Sequence, residues 1–395
     1  NTLCDFMKTL KNPLNYSQLT DQCHSFQAAM LSSLGRLIEH ESPSDNKNAL
    51  DALAVFLAEQ FRATAGSVTL LPNDSGGDHI RVICPASDGS ASTKPALILC
   101  HFDTVWPLGS LAKMPFRVEG DKAHGPGILD MKASLVITEF ALRTITALGA
   151  SLPRPITILL TSDEEVGSPT SRSLIEDHAR DAEFVLVMEP ALPGGALKTS
   201  RKGVGRFTLE VEGRAAHAGI EPELGISAVT ELSHQVLRLH ALSAPSAGTT
   251  VNVGVVDGGT KPNVIAAYAR AQTDVRAWTS NEAARLETAI LGAEPATNGA
   301  VIRTSGGFYR PPMERTPAIA DLFKQAQVIG GKLGMELEEG AAGGGSDGNF
   351  TSALGIPTLD GLGAMGHGMH ADHEHILIDS LPKRVALLTA LLCTL

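Results

Sequence analysis

Five residues of types that bind metals occur in order along the chain, and most of them follow a run of apolar residues. The five are His101, Asp130, Glu165, Glu189 and His370. Apolar runs that begin at Pro95, Pro155 and Phe184 lead to three of these positions. Short apolar runs with β-branched residues predict buried parallel strands, and open α/β sheets place their active sites at the carboxyl ends of such strands. The series therefore predicts a two-metal hydrolytic centre.

The histidine at the first position is followed by a carboxylate two residues later. In an extended segment His101 and Asp103 point to the same face. An imidazole binds a metal best when its other nitrogen donates to a carboxylate. Asp103 is therefore expected to influence the orientation of His101, although a His-x-Asp pair alone is weak evidence for a site.

A glycine-rich segment, Gly125 to Asp130, leads into an apolar helix. The Asp130 carboxylate has two oxygens with lone pairs to spare, so it can bridge two cations. The residue types equally allow Asp130 to cap the helix that follows. Both interpretations remain open at this point.

Two adjacent carboxylates, Glu164 and Glu165, end a predicted strand. In an extended segment they would point in opposite directions, so we expect one to bind a metal and the other to handle a proton. A solvated acidic turn is the alternative. Glu189 closes a wholly apolar strand, where an unpaired glutamate would be expensive to bury. The segment from Gly366 to His375 holds four histidines, of which at most one or two can reach a single site.

Composition narrows the classes of protein. A net charge of -11 without a Lys/Arg cluster argues against nucleic-acid binding. No apolar stretch reaches the roughly 18 residues that span a bilayer. The five cysteines are odd in number and form no CxxC pair, so neither a disulfide framework nor a cysteine zinc site is expected. We expect a cytoplasmic protein, with a periplasmic or secreted location possible if a leader was removed.

The 395 residues are too many for one compact core and predict two domains. Residues 1–199 alternate strand-like and helix-like segments, which predicts an α/β fold with a mixed, largely parallel sheet flanked by helices. Residues 200–311 contain alternating strands and two helices, which predicts an inserted α+β two-layer domain. Residues 312–395 are expected to return to the first domain.

Nine short motifs resemble those of the zinc-dependent exopeptidase family, which contains glutamate carboxypeptidase (carboxypeptidase G), aminoacylase, acetylornithine deacetylase and succinyl-diaminopimelate desuccinylase. The resemblance covers residues 96–390, and the spacing is most similar to the carboxypeptidase G branch. The motifs are His101-x-Asp-Thr-Val, Gly125-Pro-Gly-x-x-Asp-x-Lys132, Ser162-Asp-Glu-Glu-x-Gly-Ser168, Glu189-Pro190, Ala216-His-Ala-Gly219, Pro262-Asn-Val-Ile265, Asp274-Val-Arg276, Gly343-Gly-Gly-Ser-Asp347 and His370-Ala-Asp-His-Glu374.

The resemblance implies two Zn²⁺ ions per subunit, with Co²⁺ or Mn²⁺ as possible substitutes. Asp130 would bridge them, His101 and Glu189 would complete one site, and Glu165 and His370 the other. Glu164 matches the general base and Asp103 the residue that supports His101. A cis peptide at Asp130–Met131 is also implied. The reaction expected from this set is attack of a metal-bridging hydroxide on an amide carbonyl.

The resemblance also assigns substrate contacts in the inserted domain. His217 would stabilise the oxyanion, and in relatives this histidine reaches the active site of the partner subunit, which implies a homodimer formed through the inserted domain. Asn263 matches a contact to the substrate carbonyl. Arg276 suits a free α-carboxylate, and a salt bridge with Asp274 is the alternative.

A loop and two lysines complete the predicted substrate-binding set. The backbone N–H groups of Gly344 and Gly345 would help to hold the substrate carboxylate, unless these glycines only form a tight turn. Carboxypeptidase G has a lysine after its Glu-Pro motif, where this chain has Ala196. Lys198 or Lys202 is the candidate to replace that charge, so a preference for glutamate stays open.

The predicted function is hydrolysis of an amide or peptide bond next to a free carboxylate, which releases a C-terminal amino acid. One alternative is an N-acyl-amino-acid deacylase of the acetylornithine deacetylase or aminoacylase type. A second alternative is a non-catalytic binding protein that keeps the fold.

Overall fold

The computed structural model describes residues 14–87 and 93–395. Cys4 and the rest of the N-terminal segment before residue 14 lie outside these ranges. Within the described ranges, no helix is both long and apolar enough to cross a membrane.

Ten helices and sixteen strands are assigned in the described part of the chain, apart from single-turn elements. The helices are α1 Tyr16–Ser25, α2 Gln27–Ile38, α3 Lys47–Arg62, α4 Ala133–Leu148, α5 Arg172–Asp181, α6 Ala228–His240, α7 Ser280–Leu291, α8 Pro317–Lys332, α9 Gly348–Ala353 and α10 Ser380–Thr394. The strands are β1 Ser67–Leu71, β2 His79–Cys84, β3 Ala96–His101, β4 Arg117–Glu119, β5 Lys122–His124, β6 Ile156–Thr161, β7 Phe184–Val187, β8 Leu197–Arg201, β9 Gly203–Glu212, β10 Thr250–Gly258, β11 Tyr268–Ala277, β12 Val301–Arg310, β13 Glu339–Ala342, β14 Thr358–Leu359, β15 Gly366–His367 and β16 His375–Leu377.

The chain folds into two compact units. The first runs up to Thr199 and also contains Arg315–Ala341 and Ser346–Leu395. The second comprises Ser200–Glu314 and the short loop Ala342–Gly345. The sequence predicted that the chain returns to the first domain at residue 312 and stays in it. Nothing in the composition of Ala342–Gly345 marks this loop as part of the second unit.

The first unit is built on a six-stranded sheet in the order β1-β2-β6-β3-β7-β14. Strands β6, β3, β7 and β14 are parallel to their neighbours in that series, whereas β1 and β2 pair antiparallel at one side. Every residue of β3, β6 and β7 is buried, as expected for strands covered on both faces. The prediction of a mixed, largely parallel sheet is confirmed.

Helix α4 is buried on most sides and packs against α10. It ends at Gly149, which adopts the left-handed conformation (φ 58°) that closes the helix. An irregular turn, Ile128–Lys132, precedes α4 and contains the cis peptide Asp130–Met131. Among the described residues, no side chain forms a capping hydrogen bond at the start of α4. The interpretation of Asp130 as the cap of that helix is therefore wrong.

A second, small antiparallel sheet in the first unit has the order β15-β16-β5-β4. Its strands are two or three residues long. Hydrophobic periodicity cannot reveal strands this short, and the sequence did not predict them. In this sheet His375 pairs with His124 and with His367.

The second unit contains a four-stranded antiparallel sheet in the order β10-β11-β9-β12 together with α6 and α7. Strands β9 and β11 alternate largely between buried and more exposed positions, which gives the sheet one apolar face. Leu209 and Val275 from the sheet pack in one core with Leu232 of α6 and Leu286 of α7. This is the α+β arrangement that the alternating pattern predicts.

Candidate metal centre

Three strands of the first unit deliver acidic or histidine side chains at their carboxyl ends. His101 is the last residue of β3, the Glu164–Val166 turn follows β6, and Glu189 follows β7. These three strands are neighbours in the sheet, so the side chains meet at one edge as the sequence predicts. Asp130 comes from the turn before α4, and His370 from the loop between β15 and β16.

The Asp130 carboxylate lies between two histidines, one on each oxygen. Its Oδ1 is 3.1 Å from His101 Nε2, and its Oδ2 is 3.1 Å from His370 Nε2. His101 Nε2 also lies 3.6 Å from Glu189 Oε1, and His370 Nε2 lies 3.5 Å from Glu165 Oε2. The five predicted ligands therefore form two matching halves that share one carboxylate.

Several of the candidate ligand atoms lie close enough to one another to bind the same metal ion. Candidate ligand atoms of His101, Asp130 and Glu165 are all within 4.8 Å of one another, and the same holds for His101, Glu164 and Glu189. One Glu165 oxygen, Oε1, is buried without a hydrogen-bond partner among the described residues. A buried carboxylate oxygen without a donor requires a cation or a proton. Imidazole and carboxylate donors in this mixture suit Zn²⁺, Co²⁺ or Mn²⁺.

The charges of the side chains support a cation site. Burial raises the pKa of Glu165 to about 7, and the charge of Asp130 adds to that rise. Hydrogen bonds to Asp130 and Glu165 raise the pKa of His370 to about 10. Burial would raise the pKa of Asp130, but its hydrogen bonds with His101 and His370 outweigh burial and lower it. Despite the burial of His101, hydrogen bonds to Asp103, Asp130 and Glu189 likewise raise its pKa, so the carboxylates of this centre favour positive charge at both histidines.

Asp103 fixes both His101 and the acidic turn. Its side-chain Oδ1 is 3.3 Å from His101 Nδ1, and its backbone carbonyl is 3.1 Å from the same nitrogen. The backbone N–H groups of Glu164 and Glu165 donate to its carboxylate at 3.1 Å each. Ser44 donates its hydroxyl at 2.7 Å. Asp103 therefore supports more of the centre than its predicted contact with His101.

The Glu164–Glu165 pair does not lie in an extended segment. Residues 164–166 form a single helical turn, because both glutamate N–H groups turn toward Asp103. The expectation that the two side chains point in opposite directions from a strand is thus wrong in its geometry. Glu165 is nevertheless close to His370, while Glu164 is half-buried beside His101 and Glu189.

Glu374 is a further member of the centre that the sequence did not identify as one. Its carboxylate is almost fully buried and accepts the backbone N–H groups of Gly127, Leu129 and Asp130 at 2.8–3.1 Å. Trp106 Nε1 also donates to it at 2.9 Å. The sequence showed Glu374 only as part of the His370 motif, and its spacing gives no sign that the carboxylate binds backbone.

In the second unit, the segments of His217 and Asn263 run side by side. The N–H of Ala218 donates to the Asn263 carbonyl at 3.1 Å, and both predicted site residues are exposed. His217 Nδ1 accepts the N–H of Gly219 at 3.2 Å. A neutral imidazole that accepts at Nδ1 carries its proton on Nε2, so His217 presents a donor of the kind an oxyanion requires.

The guanidinium of Arg276 binds Asp274 through two hydrogen bonds, of 2.8 and 3.0 Å. This is the salt bridge that stood as the alternative to a substrate carboxylate. The carbonyls of Gly344 and Gly345 accept from Arg201 Nη1 at 3.0 Å each. Arg201, which the sequence did not single out as a buried residue, thereby fixes the loop whose N–H groups were predicted to bind substrate.

The two candidate specificity lysines lie in different units. Lys198 is buried in the first unit, where its Nζ is 3.8 Å from Asp360 Oδ1. Its contact with a substrate side chain stays a prediction. Lys202 belongs to the second unit, and its ammonium lies 5.2 Å from the centre of the Trp278 ring.

A mixed α/β sheet with histidines and carboxylates at the carboxyl ends of its strands fits a metal-dependent hydrolase. The sequence signature described as "Peptidase family M20/M25/M40" matches residues 97–394. The chain belongs to this family of metallopeptidases.

Known relatives agree with this assignment. The chain is 32% identical to carboxypeptidase G2 of a Pseudomonas species (strain RS-16) over 384 residues, which cover 93% of this chain and 90% of the relative. Its fold is similar to aminopeptidase PepT from Bacillus cereus, with a TM-score of 0.76, 20% identity and coverage of 93% and 98% of the two chains. It is also similar to the M20 family metallo-carboxypeptidase Sso-CP2 from Sulfolobus solfataricus, with a TM-score of 0.68, 17% identity and coverage of 92% and 98%.

Proposed function

We propose that the chain is a di-zinc hydrolase that cleaves an amide or peptide bond next to a free α-carboxylate and releases a C-terminal amino acid. The observation that carries this proposal is the Asp130 carboxylate, whose two oxygens each lie 3.1 Å from a different histidine. His101 and Glu189 would hold one ion, Glu165 and His370 the other. When bound, such ions polarise a carbonyl and lower the pKa of a water.

Glu164 is proposed as the general base. It is half-buried beside His101 and Glu189, and its backbone is fixed by Asp103. A carboxylate in this position can take a proton from the attacking water and deliver it to the departing amine. His217 is proposed to donate from Nε2 to the developing oxyanion, and Asn263 to contact the substrate carbonyl.

Arg276 is proposed as the anchor for the substrate carboxylate. Its guanidinium already binds a carboxylate, that of Asp274, through two hydrogen bonds. A substrate carboxylate could take the same fork geometry. The resemblance of the motifs to those of glutamate carboxypeptidase favours a C-terminal glutamate, and Lys202 is the more accessible of the two lysines proposed to read its side chain, because Lys198 is buried.

A deacylase of small N-acyl amino acids uses the same centre with another pocket. We therefore propose to measure amine release from a panel of N-acyl amino acids and dipeptides, each with a free and an amidated C-terminus. The zinc-loaded enzyme is compared with Glu164→Gln, which keeps the shape of the side chain and removes its charge. Activity that survives in Glu164→Gln would refute the assignment of the base. Equal activity on amidated substrates would refute the carboxylate requirement.

The second unit is proposed to form a homodimer. Strand β10 is an edge of the sheet, and Val255 and Val256 are about half-exposed on it. Leu237 on α6 is 72% exposed. An exposed apolar edge strand favours pairing with another strand, and an edge that pairs with its own copy across a two-fold axis closes the assembly.

The dimer is tested by light scattering after gel filtration. Val256→Lys is expected to give a monomer, because a lysine on the edge opposes strand pairing. Val301→Lys is the matched control, since Val301 is similarly exposed on β12 at the other edge of the same sheet. A dimer that persists in Val256→Lys, or dissociates only in Val301→Lys, would contradict the proposed interface.

A further inference from the structure

Three histidines outside the catalytic centre lie in one row across the small sheet of the first unit. His124 on β5 pairs with His375 on β16, and His375 pairs with His367 on β15. Directly opposed residues of antiparallel strands share a face of the sheet. The ring centres of His124 and His375 are 5.3 Å apart, and those of His375 and His367 are 6.0 Å apart.

His124 is the least satisfied member of this row. The residue is largely buried, at 9% exposure, and neither ring nitrogen has a hydrogen-bond partner among the described residues. Its Nε2 lies 3.7 Å from Glu119 Oε2. A buried imidazole must donate one proton and offer one lone pair, so leaving both unmatched is costly. Such an unpaired group in a folded protein points to a bound water or ion.

His375, the neighbour of His124 in this row, has one ring nitrogen engaged by the backbone. Its Nδ1 lies 2.9 Å from the His373 carbonyl. Because a carbonyl only accepts, the proton of a neutral His375 lies on Nδ1, and Nε2 keeps the lone pair that a metal binds. Two imidazoles on one tetrahedral ion, with bonds of about 2.0–2.1 Å, have ring centres roughly 5 Å apart. The spacing of His124 and His375 matches that value.

The surroundings of His124 favour its neutral form. Burial lowers the pKa of His124, and the positive charges of Arg117 and Lys122 add to this effect, while Glu119 opposes it. A metal ligand must be the unprotonated imidazole. Arg117 is itself bound to Glu119 at 2.7 Å, so part of its charge is neutralised before an ion arrives.

We propose that His124 and His375 form a second metal site, separate from the Asp130 centre, for a divalent transition ion such as Zn²⁺ or Cu²⁺. Glu119 is the third ligand, and the exposed ring of His367 completes the site by rotating toward the ion. Imidazole nitrogens with one carboxylate favour these ions over Mg²⁺ or Ca²⁺. This inference does not depend on the proposed substrate or on the number of catalytic ions.

The test counts zinc in the full-length enzyme. Wild type and His124→Gln are loaded with Zn²⁺, passed through gel filtration and measured for zinc per chain by mass spectrometry. Wild type is expected to hold one more ion than the variant. Since His124 is buried, Glu119→Gln serves as a second variant at an exposed position. It is expected to weaken uptake of the additional ion by at least about tenfold in a calorimetric titration.

His373→Gln is the matched control. Its ring is exposed and close to Asp372, and the substitution keeps the backbone carbonyl that binds His375. This variant should hold as much zinc as wild type. Equal zinc in wild type, His124→Gln and Glu119→Gln would overturn the proposal.

Discussion

Glu374 holds the backbone of Asp130. The N–H of Asp130 donates to Glu374 Oε1 at 3.1 Å, and the N–H of Leu129 donates to the same oxygen at 2.8 Å. Glu374 is four residues beyond His370 in the chain. The buried Glu374 carboxylate therefore ties the loop that holds Asp130 to the loop that holds His370. His370 Nε2 itself lies 3.1 Å from Asp130 Oδ2.

Replacing Glu374 by glutamine should loosen the centre without removing a predicted ligand. The glutamine amide is a weaker acceptor than a carboxylate, and its NH₂ group would face backbone donors. We expect metal affinity to fall about 10–100-fold, measured by competition with a chelator. Glu59→Gln, on the exposed face of α3, is the matched control. Unchanged affinity in Glu374→Gln would show that the backbone contacts do not position Asp130.

Variants of Asp103 and Ser44 distinguish the effect of the Asp103 charge on the acidic turn from the effect of a single hydrogen bond to it. Asp103→Asn should lower kcat about 10–100-fold, because its NH₂ group would oppose the N–H groups of Glu164 and Glu165. Ser44→Ala removes only one donor and should cost about 1 kcal/mol of stability. Steady-state kinetics and thermal unfolding of both variants distinguish the two effects. Equal kcat in wild type and Asp103→Asn would contradict a positioning role.

Asp274 and a substrate carboxylate can be tested as competitors for the guanidinium of Arg276. If Arg276 anchors substrate, Arg276→Ala should raise KM at least roughly tenfold for substrates with a free carboxylate. It should leave amidated substrates unaffected. Asp274→Ala removes the present partner and should lower KM for the free acids. A rise in KM of equal size for both substrate types in Arg276→Ala would indicate that the salt bridge is structural.

The buried thiols should be unreactive in the native enzyme. Burial raises the pKa of Cys23, Cys100 and Cys393 to about 12 and also raises the pKa of Cys84. At pH 8 we therefore expect these four thiols to react with a disulfide reagent only after unfolding in guanidinium. Because the native thiols keep their protons, their contribution to stability should fall as pH rises from about 9 toward 12. Rapid native labelling of any of the four would contradict this.

The sequence predicted the residues whose side-chain type and spacing are those of metal ligands. The strands ending near His101, Glu165 and Glu189 follow from apolar runs, and neighbouring strands must meet at one edge of the sheet. The fold class follows from the same alternation. These features depend on local sequence, so a single chain was enough to predict them.

The contacts that the sequence missed are made across long separations. Glu374 binds backbone groups of residues 127–130, and Arg201 binds carbonyls of residues 344–345. A backbone acceptor or donor has no sequence signature of its own. The His124–His375 pair was missed for a related reason, because it depends on the register of strands only three residues long.

The order of the metal-centre residues along the chain has a consequence for biosynthesis. His370 and Glu374 are translated after four of the five predicted ligands, and α10, which packs against α4, follows them in the chain. A nascent chain that ends before His370 contains Asp130, Glu165 and Glu189 with only one of the two histidines. It also lacks the carboxylate that holds the Asp130 loop. A chain that stops before His370 therefore lacks one of the two histidines beside Asp130, and the centre can assemble only after the segment from His370 to Glu374 has been made.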